Sequence, residues 1–254
     1  MRIRTTPSIT IRDYTKGQTL TVENPNPTVI DLTINKGKYW NFTADDVDKF
    51  QSDLAFIEDW TRDASEQLKI SIDRDVLGVV YSQVAAANQG ATAGLLSGGY
   101  NMGVAGTPVA IDKTNVVDFI TDMMGVLDEQ NVPDDDRWVV IPSWMKNLLS
   151  KSDLKNASIT GDDESVMRNG RMNGEIAGAA VYKSNLTASG IDGAYKVSNI
   201  IAGHRSGLTF ASQLLQNESL RAESTFGTLF RGLQVYGYNA VKPEALVWGY
   251  VRKG

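Results

Sequence analysis

The segment at residues 200–251 reads IIAGHRSGLTFASQLLQNESLRAESTFGTLFRGLQVYGYNAVKPEALVWGYV, and it decides the fold class. Three strand-like runs, at residues 208–215, 229–241 and 245–251, are separated by turns that contain glycine or proline. The acidic and basic residues between them are scattered and form no recognisable catalytic set. The segment therefore predicts sheet structure whose function lies in a surface rather than in a pocket.

The composition narrows the class of protein. A chain of 254 residues forms one or two domains with a sizeable core. The absence of cysteine excludes disulfides, thiolate nucleophiles and cysteine metal sites, and it fits a reducing compartment. No apolar run approaches the roughly 20 residues of a membrane span, and the N-terminal residues lack the apolar core of a secretory signal. A net charge of −5 argues against bulk electrostatic capture of nucleic acid.

Upstream of the opening segment, residues 1–42 predict a long β-hairpin. Alternating apolar residues at Ile9 and Ile11, and later at Ile30, Leu32 and Ile34, suggest two extended arms. The apolar content of the arms is low, and an isolated two-stranded hairpin is marginally stable in water. We therefore expect the hairpin to lie on a partner surface.

A long amphipathic helix is predicted next, from Thr43 to about Ala87, with a possible break near residues 51–52. Thr43 is the predicted N-cap, and Asp45 and Asp46 lie in the first turn, where the helix dipole favours acids. Apolar residues then recur at spacings of three and four. A helix of that length would be roughly 60 Å long and would act as a strut.

The remaining residues, 88–254, mix helices and strands without a regular βαβ alternation, which favours an α+β fold. A glycine-rich loop comes first, and a helix is predicted from Asp112 or Thr114 to Gln130. A buried strand at residues 137–141 leads through Pro142 into a short helix that ends at Leu149. Residues 150–171 are predicted to form a loop, and residues 177–182 a further strand.

Four blocks of this sequence, in order, resemble the major capsid proteins of tailed double-stranded DNA bacteriophages with the Hong Kong 97-type fold. No single block is diagnostic, but their order along nearly the whole chain is specific. The blocks are KYWNFTADDVD at 38–48, VPDDDRWVVIP at 132–142, GEIAGAAVYKSN at 174–185, and the tail with AGHRSGLTFASQ at 202–213 and RGLQVYGY at 231–238.

The resemblance implies a division into an E-loop hairpin at residues 1–42, a P-domain at residues 43–89 and 224–254 built on a long spine helix, and an A-domain at residues 90–223. Copies of the chain would assemble in the cytoplasm of a bacterial host as pentamers and hexamers, into an icosahedral shell that encloses the genome in the virion. Scaffolding, portal and decoration proteins are further expected partners, and no cofactor, metal or membrane is implied. Relatives usually carry an N-terminal arm ahead of the E-loop, and we expect that arm to precede this sequence or to be removed.

The charge pattern independently predicts a contact between copies. The hairpin is basic and the start of the predicted long helix is acidic, so complementary charge could set the register of one subunit's hairpin on its neighbour. An ordinary solvated helix face is the alternative, because surface ion pairs are individually weak. The residues predicted to take part are Arg2, Arg4, Arg12, Lys16, Asp45, Asp46, Asp48, Asp53, Glu58 and Asp59. Some relatives cross-link an E-loop lysine to a neighbour, but no such cross-link is predicted for Lys16.

Two other functions compete with the capsid interpretation. Ser143 and Lys146 match the S-x-x-K pattern of serine acyl-enzymes, which keeps an α+β acyl-transfer enzyme as the alternative from another class. The S-D-N and K-T-G partner motifs are absent, so Ser143 is predicted to cap the helix that follows Pro142. An encapsulin-like compartment shell shares the capsid fold and is the nearer alternative.

The remaining polar motifs are predicted to be structural. His204 is the only histidine, so a catalytic triad or a metal site built from histidines is not expected. We place His204 at a strand-to-helix turn. The acidic runs at residues 134–136 and 162–164 lack the spacing of a calcium loop and are predicted to be solvated. Lysines and arginines form no dense cluster with interleaved aromatics, so only weak, non-specific DNA contact is expected.

Overall fold

A computed structural model of the chain describes residues 2–4, 9–26, 29–47, 56–152, 175–223 and 225–254. Strands dominate and form separate sheets with a few helices, which confirms the predicted α+β class. No helix within these ranges is long and apolar enough to cross a membrane. The strands are β1 (Arg2–Arg4), β2 (Val29–Asp31), β3 (Lys36–Asp45), β4 (Val109–Ile111), β5 (Arg137–Ile141), β6 (Glu175–Ile176), β7 (Ala179–Lys183), β8 (Ser189–Asp192), β9 (Tyr195–His204), β10 (Leu208–Arg221), β11 (Gly227–Ala240) and β12 (Leu246–Lys253); the helices are α1 (Phe56–Leu77), α2 (Val116–Glu129) and α3 (Ser143–Leu149).

The main core lies between helix α2 and a seven-stranded sheet. The sheet order is β4-β12-β9-β5-β7-β6, and β8 pairs with β9 outside that path. The apolar face of α2 is buried on the sheet, with Ile120, Met123 and Leu127 packed near Ile200 and Val247. The three-and-four spacing of apolar residues thus gave the right helix, and the predicted strands at residues 137–141 and in the tail are confirmed.

Helix α1 covers one face of a three-stranded sheet with the order β10-β11-β3. Leu68 and Ile72 of α1 form a small core with the fully buried Tyr236, against which Trp40 packs. Strand β10 is an edge of this sheet, and its pairing with β11 shifts between Ser212 and Leu214.

The predicted start of the long helix is wrong. Thr43 is not an N-cap but lies in β3, where it is the partner of Leu229. The ten residues of β3 alternate in burial and pair along their whole length with β11, and this long-range ladder outweighs the local capping signal. The predicted break near residues 51–52 lies outside the described residues.

The predicted end of the helix is also wrong. Helix α1 ends at Leu77, and Gly78 follows at the position where helices commonly end in glycine. Two short 3₁₀ helices, Val80–Gln83 and Ala86–Asn88, replace the predicted continuation to Ala87. The 22 residues of α1 span roughly 33 Å.

The N-terminal arms form the predicted hairpin, but regular pairing is confined to its base among the described residues. Strands β1 and β2 are antiparallel, with Arg2 opposite Asp31 and Ile3 opposite Ile30. Beyond the base, the described residues form no ladder, but two contacts fit the same register. The backbone N–H of Thr10 donates to the Glu23 side chain (3.2 Å), and the chain turns between Thr15 and Gln18. The described parts of the arms therefore share one alignment.

The predicted strand at residues 177–182 is confirmed from Ala179 onward as β7, but its first two residues form the turn of a tight hairpin between β6 and β7. Ile176 pairs with Ala179, and the two residues between them, Ala177 and Gly178, both have positive φ angles (50° and 75°). A two-residue turn of this kind reverses the chain where the sequence pattern suggested continuity. Most of the predicted loop at residues 150–171 lies outside the described residues.

Strand pairing also places the last strand of the chain. Strand β12 lies between β4 and β9 in the seven-stranded sheet, whereas β11 pairs with β3 and β10. The predicted P-domain includes both β11 and β12. The division into E-loop, P-domain and A-domain stays a prediction.

Candidate assembly surfaces

The hairpin carries an uncovered apolar face. In its register Ile11 lies opposite Val22, and the side chains of these two residues are about nine-tenths exposed (90% and 91%). Side chains alternate along extended chain, so Ile9 and Leu20 share that face, while Thr10 and Arg12 fall on the other one. A soluble chain gains by burying such a stripe against another surface.

The predicted basic residues of the hairpin have different surroundings. Arg2 lies 3.5 Å from Asp31 across the base of the hairpin, and both side chains are exposed. Arg12 and Lys16 are exposed and form no ion pair with any described residue. The side chain of Arg4 lies outside the described residues. Arg12 and Lys16 are thus the members of the predicted set that remain available for a partner.

The predicted acidic residues are partly engaged within the chain. Both oxygens of Asp46 accept hydrogen bonds from the guanidinium of Arg221, which raises the pKa of that arginine. Asp59 accepts from Arg62 at 2.6 Å, one helical turn away.

Two further members of the acidic set are described. Asp45 accepts from the N–H of Val47 at 2.8 Å, and Glu58 is exposed. Asp48 and Asp53 lie outside the described residues. Among the described members of the two sets, no basic residue of the hairpin contacts a predicted acid of the same chain.

A polar junction joins the base of the hairpin to helix α1, and the sequence pattern did not reveal it. At the start of β3, the Lys36 ammonium donates to Asp75 of α1 at 2.9 Å and to the Tyr238 hydroxyl at 2.8 Å. The Tyr236 hydroxyl donates to the same Asp75 carboxylate at 2.8 Å, and the Tyr238 hydroxyl donates to the Asp75 carbonyl oxygen. These four side chains hold helix α1 against strands β3 and β11.

The charges of this junction support each other. Burial acts to raise the pKa of Asp75, but the hydrogen bonds from Lys36 and Tyr236 outweigh it and leave that pKa below its ordinary value. Burial acts to lower the pKa of Lys36, but the hydrogen bonds to Tyr238 and Asp75 raise it overall. Both groups therefore stay charged near neutral pH.

The acidic turn at residues 134–136 is exposed, yet each carboxylate faces a basic group. The buried guanidinium of Arg137 pairs with Asp134 (2.7 Å) and with Asp128 at the end of α2 (2.6 Å). Arg205 lies 3.7 Å from Asp136, and His204 lies 4.0 Å from Asp135. Among the described residues, no group of acids, histidines or cysteines could hold a metal ion. The run at residues 162–164 lies outside them.

The prediction that His204 lies at a strand-to-helix turn is wrong. It ends strand β9, and the turn that follows leads directly into strand β10. Its Nδ1 lies 2.8 Å from the Ser206 hydroxyl within this turn. The apolar run that begins at Leu208 forms strand β10, so the element after His204 is a strand and not a helix.

Ser143 has no capping role, so that prediction is wrong as well. Pro142, in an extended conformation, is the residue that precedes helix α3, and Ser143 is its first helical residue without a side-chain cap bond. The backbone N–H of Ser143 donates instead to the Asn185 side chain at 2.9 Å. The cap of this helix therefore comes from a residue distant in sequence.

Comparison with known proteins gives a consistent result. A family model described as phage capsid protein matches residues 28–249. The chain is similar to a protein of Mycobacterium phage Che8, with 25% identity and a TM-score of 0.73 over 98% of this chain and 83% of that chain. It also resembles a chain in the capsid structure of cyanophage P-SCSP1u, with 14% identity and a TM-score of 0.70 over 100% of this chain and 83% of that one.

Similarity to compartment shells is lower. A chain of the encapsulin complex from Synechococcus elongatus has 10% identity and a TM-score of 0.55, and covers 88% of this chain and 75% of that chain. The sequence matches none of the curated proteins.

Proposed function

The chain belongs to the phage capsid protein family and is a major capsid protein with the Hong Kong 97-type fold, and from this we propose that its copies assemble as pentamers and hexamers into an icosahedral shell around double-stranded DNA. The observation that carries the proposal is the family match over residues 28–249, which includes the three-stranded sheet and most of the seven-stranded sheet. The protein is a structural component of the virion, located in the capsid shell.

The hairpin is the part of the chain that we propose to reach a neighbouring copy. Ile11 and Val22 expose an apolar face that nothing in the described part of the same chain covers. Burial of one such side chain gains about 1.5–3 kcal/mol, so this face supplies more of the contact than the charges do.

Charge then has a secondary role in the same contact. Arg12 and Lys16 form no ion pair with the described residues of their own chain, and Glu58 is exposed near the start of α1. We propose that these groups set the register of the hairpin on its neighbour. Asp46 and Asp59, which have partners of their own, contribute less.

The test of this charge contribution is the double reversal of Arg12 and Lys16 to Glu. We expect slower shell assembly at low salt and a smaller difference from the parent chain near 1 M salt, where the screening length is about 3 Å. Light scattering during assembly measures both. A double variant with unaltered rates and unaltered salt response would remove these two residues from the contact.

Contact with packaged DNA is proposed to be weak and non-specific. The net charge is −5, so any attraction to phosphates is local and is screened by salt. Scaffolding, portal and decoration proteins remain proposed partners. We infer no catalytic role, because the chain belongs to a family of structural capsid proteins.

An encapsulin-like shell is the second candidate. Its support is the shared fold, but the encapsulin chain aligns with a lower TM-score and less coverage than the phage chains do.

Electron microscopy of the purified protein tests the main proposal. Closed isometric shells, or rings of five and six subunits, are expected. A stable monomer at every concentration and salt condition would overturn the proposal. Shells that enclose an enzyme cargo rather than DNA in the producing cell would favour the encapsulin alternative.

A further inference from the structure

A short loop at residues 93–100, here called the leucine loop, exposes two leucines side by side. Leu95 is 55% exposed and Leu96 is 80% exposed. The ends of the loop are closed by a pair of backbone hydrogen bonds between Ala93 and Tyr100 (2.8 and 3.0 Å). These backbone bonds hold the loop, and both leucine side chains remain exposed.

Glu129, at the end of α2, holds the tip of the leucine loop. Its carboxylate accepts from the backbone N–H groups of Leu96 (2.7 Å) and Ser97 (3.1 Å). The pKa of Glu129 is lowered, most by a hydrogen bond from the Ser97 side chain and next by the two backbone N–H groups. The carboxylate therefore remains ionised and stays bound to the loop. A tip fixed in this way loses little conformational entropy when it enters a partner surface.

The same chain carries a recess that suits an apolar tip. It has a volume of about 440 Å³ and is lined by Trp144, Ile191 and Val197, with Lys196 and Lys253 among its other lining residues. Gly190, also in the lining, has open space where a side chain would extend. The recess is open to solvent.

The leucine loop and the recess lie at opposite ends of strand β12. At the first end, the Asn88 side chain binds both the Leu246 carbonyl and Gln130, and Gly94 of the loop donates to the neighbouring Ala87. At the other end, Lys253 lines the recess. Leu246 and Lys253 are seven residue steps apart along the strand, which is about 23 Å.

Charge follows the same division. Glu244 is exposed at the leucine-loop end, where Glu129 binds the loop and Asp128 is paired with Arg137. Exposed Lys196 and Lys253 belong to the recess. Two different surfaces with opposite charge, at opposite ends of one sheet, are what a head-to-tail contact between identical subunits requires.

We propose that the leucine loop of one copy inserts into the Trp144–Ile191 recess of the next copy and joins subunits head to tail around a ring. The inference rests on the proposed assembly into pentamers and hexamers, because such rings need a heterologous contact that closes. Leu96 is the anchor, and the lysines of the recess face the acids beside the loop.

The absence of cysteine makes a direct test possible, since every thiol can be placed by design. The double variant Leu96→Cys/Ile191→Cys is assembled, oxidised, and in parallel treated with a short bis-maleimide. On denaturing gels we expect a ladder at multiples of 27.7 kDa that ends at five or six subunits. Each single-cysteine variant can form nothing larger than a dimer and serves as the matched control.

The outcomes separate the two proposals. If the parent chain forms shells and the double variant shows no ladder, the head-to-tail contact is wrong and the capsid function stands. A strong dimer from Leu96→Cys alone would also contradict it, because that result requires two leucine loops to meet each other. Absence of shells or rings from the parent chain would overturn the assembly proposal and this contact with it.

A second pair of variants measures the contact without cross-linking. Leu96→Ser removes the apolar anchor, whereas Leu96→Met keeps its volume and polarity. We expect Leu96→Ser to raise the protein concentration needed for half-maximal assembly by about tenfold, with Leu96→Met close to the parent chain. Equal assembly of the two variants would contradict the proposal.

Discussion

Position 103 requires glycine because the backbone of a neighbouring strand lies against it. Its φ angle is +82°, and a Cβ atom there would lie 2.1 Å from the carbonyl oxygen of Tyr250. The adjacent Met102 carbonyl accepts from the Tyr250 N–H at 2.7 Å, so the glycine-rich loop lies directly against strand β12. Gly106, in the same loop, has a similar φ of +88° but open space around its Cβ position.

These two glycines allow the steric cost to be separated from the cost of the backbone angle. We expect Gly103→Ala to lower the free energy of unfolding by about 2–4 kcal/mol, because it adds a backbone clash to the angle strain. Gly106→Ala should cost about 1 kcal/mol, from the angle alone. Chemical denaturation of both variants gives the difference, and equal losses would contradict the close approach.

The polar junction gives a second residue-scale prediction. We expect Asp75→Asn to lower the free energy of unfolding by about 1–2 kcal/mol, because it removes the negative charge of the carboxylate to which the Lys36 ammonium and the Tyr236 hydroxyl both donate hydrogen bonds. Asp59→Asn is the matched control, since its ion pair with Arg62 is exposed and should be worth less than about 0.5 kcal/mol. Thermal or urea unfolding of both variants tests the comparison.

The same variant should show a defined pH dependence. The pKa of Asp75 is lowered in the folded state, so its stabilising contribution is complete above the ordinary value of 3.8 and is lost as the pH falls through the folded value. The stability difference between the parent chain and Asp75→Asn should therefore shrink in acid below pH 3.8. A difference that grows in acid would contradict the assigned hydrogen bonds.

At the scale of elements, the turn between β6 and β7 is not optimal for its geometry. Both Ala177 and Gly178 have positive φ angles, and turns of this type favour asparagine followed by glycine. We expect Ala177→Asn to raise the free energy of unfolding by about 0.5–1 kcal/mol, and Gly178→Ala to lower it by about 1 kcal/mol. Denaturant melts would show these opposite signs, and a change of the same sign in both variants would argue against the turn.

Elements with a local signal were predictable from the sequence, and elements that depend on distant partners were not. Helix α2 and strand β5 follow directly from the spacing of their apolar residues. Thr43 with its following acids gives a helix signal, but the pairing of β3 with β11, almost 200 residues later, decides its conformation.

The same limit applies to the candidate surfaces. The hairpin and its exposed basic residues could be predicted, because its arms alternate locally. The leucine loop could not, since the glutamate that holds its tip lies 33 residues away from Leu96 in sequence. Lys36 and Asp75 likewise meet only through the fold.

At the scale of the whole molecule, assembly should depend on one face of the hairpin more than on the other. We expect Ile11→Asp to prevent shell formation, because it places a charge in the apolar face proposed to be buried on a neighbour. Thr21→Asp makes an equivalent change on the opposite face, across from Arg12, and it should slow assembly without preventing shell formation. Electron microscopy and sedimentation of both variants measure this.

The folded state of the single chain provides the control for that experiment. Ile11 and Thr21 are both exposed, so each variant should unfold within about 0.5 kcal/mol of the parent chain. If both variants assemble equally well, the apolar face of the hairpin is not the contact.

The free edge of strand β10 matters for the period between synthesis and assembly. No described residue forms a ladder with its outer side, and these 14 residues, about 45 Å of strand, would offer other copies a template for stacking into fibres. The register shift between Ser212 and Leu214 bends this edge, and Glu218 and Arg221 place charges along it. Crowded subunits are thereby discouraged from open-ended polymerisation, and the contacts left to them are those that lead to a finite particle.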